Sequence, residues 1–360
     1  MHPFPDVWKT LLTKHDITQF TAIQEALFTP ISEGHNVLGI SPTGTGKTLA
    51  YLLPALLKLT PKKAQQLLIL APNSELAGQL FHVTKEWAEP IGLRAQVFLS
   101  GSSQKRQIER LKKGPEILIG TAGRIYELIK LKKIKMMSID TIILDEFDAL
   151  LSDSQYSFVE RICHHVPRQH QMIYISATHQ INNNLLAADT QTIDVNQDTS
   201  PDISHYYIKL DKRDKTDFLR KLANIDDFRA LVFFNNLSHL GACEEKLQYH
   251  GASALSLASD VNLAFRKVIL ERFKKHELSL LLTTDLLARG LDIEALDYVV
   301  NAELPRDKES YIHRTGRTGR MGRSGSVINI ITNKEELKQL HTFTKARQIT
   351  LKHQNFHLID

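Results

Sequence analysis

Cysteine is scarce in this chain. Only Cys163 and Cys243 occur in 360 residues, and they form no CxxC pair. This argues against a disulfide scaffold or a zinc ribbon and fits a reducing compartment. Cys163-His164-His165 has no metal-ligand spacing either. Aromatic residues are 7% of the chain, and no series of base-stacking aromatics stands out. No uninterrupted apolar run approaches the ~20 residues needed to cross a bilayer. The start, Met1-His2-Pro3-Phe4-Pro5, has no basic region followed by an apolar stretch, so neither a signal peptide nor a membrane partner is expected. Repeats and low-complexity tracts are absent. Lys+Arg 45 against Asp+Glu 40 leaves only +5, which permits a polyanionic partner without requiring one. The expectation is a soluble, cytoplasmic protein.

What is present is an ordinary globular composition, 42% hydrophobic and 24% charged. The length suits two domains at ~100–200 residues each. Short β-branched apolar runs recur with helical patterns between them, at 36–40, 67–70, 116–120, 141–144 and 172–175. A second series lies at 230–234, 280–283, 298–301 and 326–330. Strands alternating with helices predict parallel sheets covered on both faces. Two series predict two α/β, doubly wound domains. The polar, Pro-containing stretch 195–202 lies between them and reads as a linker. The expected division is 1–198 for the first domain, 199–203 for the linker, 204–340 for the second domain and 341–360 for a short tail.

Ser41-Pro42-Thr43-Gly44-Thr45-Gly46-Lys47-Thr48 follows the first apolar run and precedes a helical pattern over 49–59. That is the strand–loop–helix context of a phosphate loop. Its glycines let backbone N–H groups turn inward, and the helix N-terminus adds positive partial charge. Lys47 is expected to reach the β/γ-phosphates and the Thr48 hydroxyl to bind Mg²⁺. The strict pattern opens with Gly, where this chain has Ser41. The run Thr141-Ile142-Ile143-Leu144 ends in Asp145-Glu146-Phe147-Asp148. A carboxylate at the end of a strand can position a metal, and its neighbour can take a proton from an attacking water. Asp145 is expected in the first role and Glu146 in the second.

The phosphate loop, Asp145-Glu146-Phe147-Asp148 and Ser176-Ala177-Thr178 stand in an order that resembles the DEAD-box RNA helicases. Thr283-Thr284-Asp285-Leu286-Leu287-Ala288-Arg289-Gly290-Leu291-Asp292 looks like that family's fifth motif. Tyr311-Ile312-His313-Arg314-Thr315-Gly316-Arg317-Thr318-Gly319-Arg320 looks like its sixth. The resemblance covers roughly 16–330 and has the form of a short, core-only bacterial member. It implies two tandem RecA-like domains with a cleft between them, ATP and Mg²⁺ as cofactors, and an RNA-stimulated ATPase that unwinds RNA locally. It further implies that Gln24 reads adenine, that Thr43, Gly44, Thr45 and Gly46 cradle phosphates, and that Asp292 contacts ribose. Arg317 and Arg320 would be arginine fingers on the γ-phosphate. Ser176 and Thr178 would bond Asp148, and His313 would help to couple the domains. RNA backbone contacts would come from Gly101, Thr121, Arg124, Arg266 and Thr284. The partners implied are RNA and ribosomal precursor particles, with a monomeric state.

The chain departs from the family at several points. Ser74 replaces an arginine that contacts phosphate, Ser102 a second glycine, Leu263 a glutamine, Ala122 a proline and Phe147 an alanine. The aromatic expected upstream of Gln24 is either Phe4 or Trp8. One feature offers compensation: residues 105–135 hold ten Lys/Arg against three Glu, around Arg124, as RNA contacts or as solvated helix faces. The competing functions are a DNA translocase of the same superfamily, a non-catalytic RNA-binding assembly factor and a P-loop transporter or kinase. Intact Gln24 and Ser176-Ala177-Thr178 speak against the first. Lys47, Glu146, Arg317 and Arg320 speak against the second, and the arginine motif against the third.

Overall fold

In a computed structural model the chain forms two compact units, Met1–Ser200 and Pro201–Asp360. The structure describes all residues except 1–3, 43, 64, 102, 152, 166–169, 179–184, 196–202, 258–262, 289–295, 320–323, 353 and 360, together with the side chains of 153, 154, 263, 264, 267 and 286. The linker expected at 199–203 therefore lies outside the described residues except for Ile203, which opens a strand of the second unit.

The first unit has seven strands: β1 Val37–Ile40, β2 Leu67–Ala71, β3 Ala95–Phe98, β4 Ile117–Thr121, β5 Thr141–Leu144, β6 Gln171–Ser176 and β7 Gln191–Asp194. Its helices are α1 Asp6–Lys14, α2 Ala22–Ser32, α3 Lys47–Leu57, α4 Ser74–Ala88, α5 Gln104–Leu111, α6 Ala122–Lys130, α7 Phe147–Leu150 and α8 Asp153–Cys163. The strands pair in parallel in the order β3-β4-β2-β5-β6-β1-β7. A parallel sheet with helices on both faces needs strands that are apolar throughout. β5 shows this: Ile143 enters one core with Ile69 and Leu53, while Ile142 and Leu144 enter the other with Leu68 and Ile125. Side chains two apart share a face.

The second unit has β8 Ile203–Lys209, β9 Ala230–Phe234, β10 Ala254–Ser256, β11 Leu280–Thr284, β12 Tyr298–Asn301, β13 Gly325–Ile331, β14 Arg347–Lys352 and β15 Asn355–Leu358. Its helices are α9 Lys215–Ala223, α10 Leu237–Tyr249, α11 Leu263–Lys274, α12 Asp285–Ala288, α13 Lys308–Thr315 and α14 Lys334–Phe343. The sheet order is β10-β11-β9-β12-β13-β8-β14-β15. The reading of 341–360 as a short tail is corrected here. β14 pairs in parallel with β8, and β15 closes on β14 antiparallel. Ile349 is buried in the core and Phe356 packs against it. Leu351, two residues after Ile349, packs there as well, so one face of β14 anchors the segment.

In each sheet every strand except the antiparallel β15 ends at the same edge. Ligands of open α/β sheets bind beyond that carboxyl edge. The phosphate loop after β1, Ser74 after β2, Gly101 after β3, Thr121 ending β4, Asp145 after β5 and Ser176 ending β6 all lie along it.

Candidate nucleotide and nucleic-acid sites

The phosphate loop is shaped by two left-handed glycines, Gly44 (φ +83°) and Gly46 (φ +81°). A Cβ at Gly46 would also stand 2.5 Å from Gln24 Nε2, so the Gln24 amide would have to shift. Gly46 caps α3, so Lys47 and Thr48 open that helix. Lys47 Nζ donates to the carbonyls of Ser41 (2.7 Å) and Pro42 (2.8 Å). Ser41, where the strict pattern has glycine, is fully buried. Its hydroxyl lies 2.6 Å from Thr45 Oγ1, which donates to Pro42 O at 2.9 Å. A serine is thus accommodated by bonds inside the loop. Gln24 donates to Gly46 O (3.2 Å) and accepts from Thr21 N (3.0 Å), while Thr21 Oγ1 donates to Thr45 O (2.8 Å). The bonds to Gly46 O and Thr45 O fasten α2 to the loop, and the bond from Thr21 N closes the cap of α2 itself. Thr43 lies outside the described residues.

The acidic motif leaves β5 at Asp145. Its Oδ1 accepts from Glu146 N (3.1 Å) and its Oδ2 from the Tyr51 hydroxyl (3.2 Å). Burial pushes the Asp145 carboxyl up to about 7, the Glu146 charge adds to this, and the Lys47 ammonium opposes it. Glu146 adopts a left-handed backbone (φ +47°, ψ +57°) as it caps α7, a conformation that costs a non-glycine residue about 1 kcal/mol or more. Among the described residues its buried Oε2 has no hydrogen-bond partner. Phe147, alanine in the resembled family, is fully buried with its ring 4.8 Å from that of Tyr174, so it points into the core.

Two expectations change here. The Thr178 hydroxyl, expected to bond Asp148, has no hydrogen-bond partner among the described residues. The motif closes on itself instead: Ser176 Oγ donates to Thr178 O (2.9 Å) and accepts from Thr178 N (3.0 Å). A hydroxyl two residues away is a nearer partner than a carboxylate on another element. Trp8 is also excluded as an adenine-stacking residue. It is fully buried, donates to Trp87 O at 2.8 Å and packs on the Trp87 ring. Phe4 stays half-buried, edge-on to Phe20 and Phe28.

Along the same edge, Gly101 is left-handed (φ +78°), with open space where a Cβ would stand. Thr121 Oγ1 lies 3.3 Å from Ser100 Oγ. Arg124 is buried; its Nε donates to Gln107 (3.0 Å) and its guanidinium to Glu127 (2.6 Å). Ala122 is fully buried as the first residue of α6, a position equally open to proline. Ser74 is the first residue of α4, after the cap Asn73. The basic run 105–135, expected to add contacts around Arg124, does not gather there. α5 and α6 both run back from this edge, which carries most of their lysines to the opposite end of the sheet.

In the second unit, Thr283 and Thr284 end β11, and both are buried. Arg314, the first arginine of the sixth motif, is 1% exposed and wholly committed. It bonds both Asp285 oxygens (2.6 and 2.7 Å), Asn235, Asn301 and the Glu303 carbonyl, above the Phe233 ring. A small recess beside it is lined by Ser310, His313 and Arg317. His313 Nε2 lies 3.9 Å from Glu309. Arg266 donates to Leu287 O at 3.4 Å. Asp292 and Arg320 lie outside the described residues. Among the described residues, each unit thus carries its set of motif residues along a single sheet edge. Sequence reasoning missed Tyr51 and Gln107. The signal for Tyr51 was its place four residues after Lys47, on the same helix face.

Residues 21–185 match the DEAD/DEAH box helicase family, and residues 214–322 match the helicase conserved C-terminal domain. The probable ATP-dependent RNA helicase YfmL of Bacillus subtilis is 40% identical over 88% of this chain and 86% of its own length. The DEAD-box ATP-dependent RNA helicase CshC of Bacillus cereus is 36% identical over 99% of this chain and 92% of its own. Among solved structures, S. cerevisiae Dbp5 bound to RNA and ADP BeF3 matches with a TM-score of 0.85 at 25% identity, over 96% of this chain and 94% of that one.

Proposed function

The chain belongs to the DEAD-box ATP-dependent RNA helicases, and we propose how its own residues divide the work of that activity. The observation that carries the proposal is the pair at the end of β5: a buried Asp145 bonded on both oxygens, beside a Glu146 oxygen with no partner among the described residues. One carboxylate is held and the other is left to accept a proton.

Gln24 reads the adenine edge. The backbone of Thr43, Gly44, Thr45 and Gly46 cradles the phosphates, with Lys47 on the β- and γ-phosphates. Glu146 takes the proton of the attacking water. The Thr48 hydroxyl and Asp145 fit a magnesium ion. They offer oxygen donors only, and Asp145 is a crowded carboxylate that a hard cation would relieve. When bound, such an ion neutralises phosphate charge. Asp292 contacts ribose, and Arg317 and Arg320 stabilise the charge spread over the transferred phosphoryl group. Asp148, Ser176, Thr178 and His313 couple hydrolysis to conformational change. Gly101, Thr121, Arg124, Arg266 and Thr284 hold the RNA backbone, which gives salt-sensitive binding with little sequence preference. The protein works in the cytoplasm as a monomer, in ribosome assembly or RNA turnover.

The test is ATP hydrolysis measured with no nucleic acid, with RNA, and with DNA of the same sequence. Stimulation by RNA alone is expected. Equal stimulation by DNA would redirect the assignment to a DNA translocase, and hydrolysis indifferent to both would remove nucleic acid from the mechanism.

A further inference from the structure

In the first unit, strands β4, β2 and β5 are neighbours in the sheet. The loops that lead into them therefore lie side by side, at the edge opposite the phosphate loop. The loop into β2 carries Lys62 and Lys63, and the loop into β4 carries Lys112 and Lys113. The loop into β5 carries Lys132, Lys133 and Lys135, with Lys130 ending α6 just before it. All eight lysines are exposed. Only two carboxylates occur in these loops. Glu116 is fully buried under Arg94, and Asp140 is bridged to Lys63 at 3.1 Å.

The three loops are built as one surface. Lys62 N donates to Glu116 Oε1 (2.8 Å), Gln65 N donates to Pro115 O (2.8 Å), and Lys135 N donates to Gln65 Oε1 (2.6 Å). Arg94 ties down the Lys113 carbonyl at 2.7 Å. Left-handed backbone recurs across them, at Lys62 (φ +68°), Gln65 (φ +59°), Gly114 (φ +66°) and Lys132 (φ +55°). Glycine or asparagine would relieve that strain, yet two of the four positions are lysine. Lysines at the ends of α5 and α6 also complement helix dipoles. That accounts for those in the last turns, and leaves Lys62, Lys63, Lys133 and Lys135 without such a reason.

We propose that this lysine row is a second RNA-binding surface, which holds a folded or duplex part of the substrate while another part occupies the carboxyl edge of the same sheet. The proposal rests on RNA being the substrate. Among the described residues the row offers flexible point charges and no exposed aromatic ring, so it reads phosphate backbone rather than bases. A five-residue strand spans about 17 Å, so a short strand seated at the carboxyl edge does not reach the row, whereas a structured extension does. Leu131 and Met137 are exposed beside the lysines, which makes an anionic membrane surface the control.

The experiment uses the full chain and two RNAs: a short single strand, and the same strand extended by a stable hairpin. Affinity is measured across a salt titration with a non-hydrolysable ATP analogue. The wild-type protein should prefer the hairpin RNA on the order of tenfold at low salt, with a steeper slope of log affinity against log salt. The combined variant Lys112→Gln, Lys113→Gln, Lys132→Gln, Lys133→Gln should lose that preference and flatten the slope by roughly 0.9 for each phosphate it no longer neutralises. Its hydrolysis stimulated by the short strand should be unchanged, and the corresponding Lys→Arg variant should keep the preference. A wild-type protein without the preference overturns the proposal. So does a glutamine variant that retains it, one that loses short-strand affinity equally, or one that loses only binding to phosphatidylglycerol vesicles. Absence of any RNA-stimulated hydrolysis in the wild-type protein would instead count against the helicase assignment.

Discussion

The Tyr51 hydroxyl donates to Asp145 Oδ2 at 3.2 Å, joining the helix of the phosphate loop to the strand that carries the acidic motif. Tyr51 is fully buried, and burial with the nearby Asp145 charge holds its phenol well above the usual range. It therefore acts as a neutral donor. Tyr51→Phe strips one oxygen of a buried carboxylate of its donor, at a cost of about 1–3 kcal/mol. The expected result is a lower melting temperature of the first unit and a several-fold loss of turnover with little change in nucleotide affinity. Unchanged melting and turnover together would show this bond to be idle.

Glu146→Gln preserves shape and removes the proposed base. Nucleotide binding should persist while hydrolysis drops by about 10²–10⁴. Lys47→Ala should do the reverse, weakening nucleotide binding itself. Titration of a fluorescent ATP analogue alongside steady-state hydrolysis separates the two. Near-normal turnover in Glu146→Gln would take that residue out of its role.

Ser74 opens α4 at the edge that also carries Gly101 and Thr121. A serine hydroxyl there offers one neutral donor, whereas an arginine offers a charged fork. Ser74→Arg should tighten RNA binding and steepen the salt slope by about 0.7, the value for one neutralised phosphate on a single strand. A slope identical to wild type would mean that residue 74 does not face RNA.

Arg314 is held inside the second unit by Asp285, Asn235 and Asn301. Arg314→Ala removes the partner of Asn235, Asn301 and the Glu303 carbonyl as well as of Asp285 and should destabilise that unit by about 1–3 kcal/mol, read as an earlier urea transition. A folded, fully stable variant with impaired hydrolysis would instead assign Arg314 to the chemistry.

His205 Nδ1 lies 2.9 Å from the Tyr311 hydroxyl, and burial lowers the imidazole to about 4. The folded state thus resists a proton that the unfolded chain accepts near pH 6.5. The stability this group contributes is complete above about 6.5 and is lost as the pH falls from there toward 4. The loss is roughly 3 kcal/mol. Denaturation midpoints of the wild-type protein should fall more steeply over that window than those of His205→Gln. Parallel curves would assign the acid sensitivity elsewhere.

The strands at the middle of each sheet were legible because a strand covered on both faces must be apolar throughout. The runs at 67–70, 141–144, 230–234 and 298–301 correspond to β2, β5, β9 and β12 within a residue. The strands missed stand mostly at or near sheet edges. β3 is half-buried over most of its length, β10 has three residues, and β14 and β15 are largely polar. One covered face leaves too short a pattern to recognise. Tyr51 escaped notice because an aromatic in an apolar helix reads as packing until its hydroxyl is seen to meet Asp145.

By itself the sequence determined the strand–loop–helix and strand–acid units, the division into two α/β halves and the family, because those depend on residue type and short spacing. Only the tertiary structure decided which side of the sheet each charge serves. Arg124 and the lysines of 112–135 are close in the chain. Yet a helix that returns along a parallel sheet carries its last turn to the far edge from its first, so Arg124 stays near the carboxyl edge and the lysines gather opposite it. The same folding back turned Arg314 from a surface cation into a buried ion-pair partner of Asp285, 29 residues away in the chain.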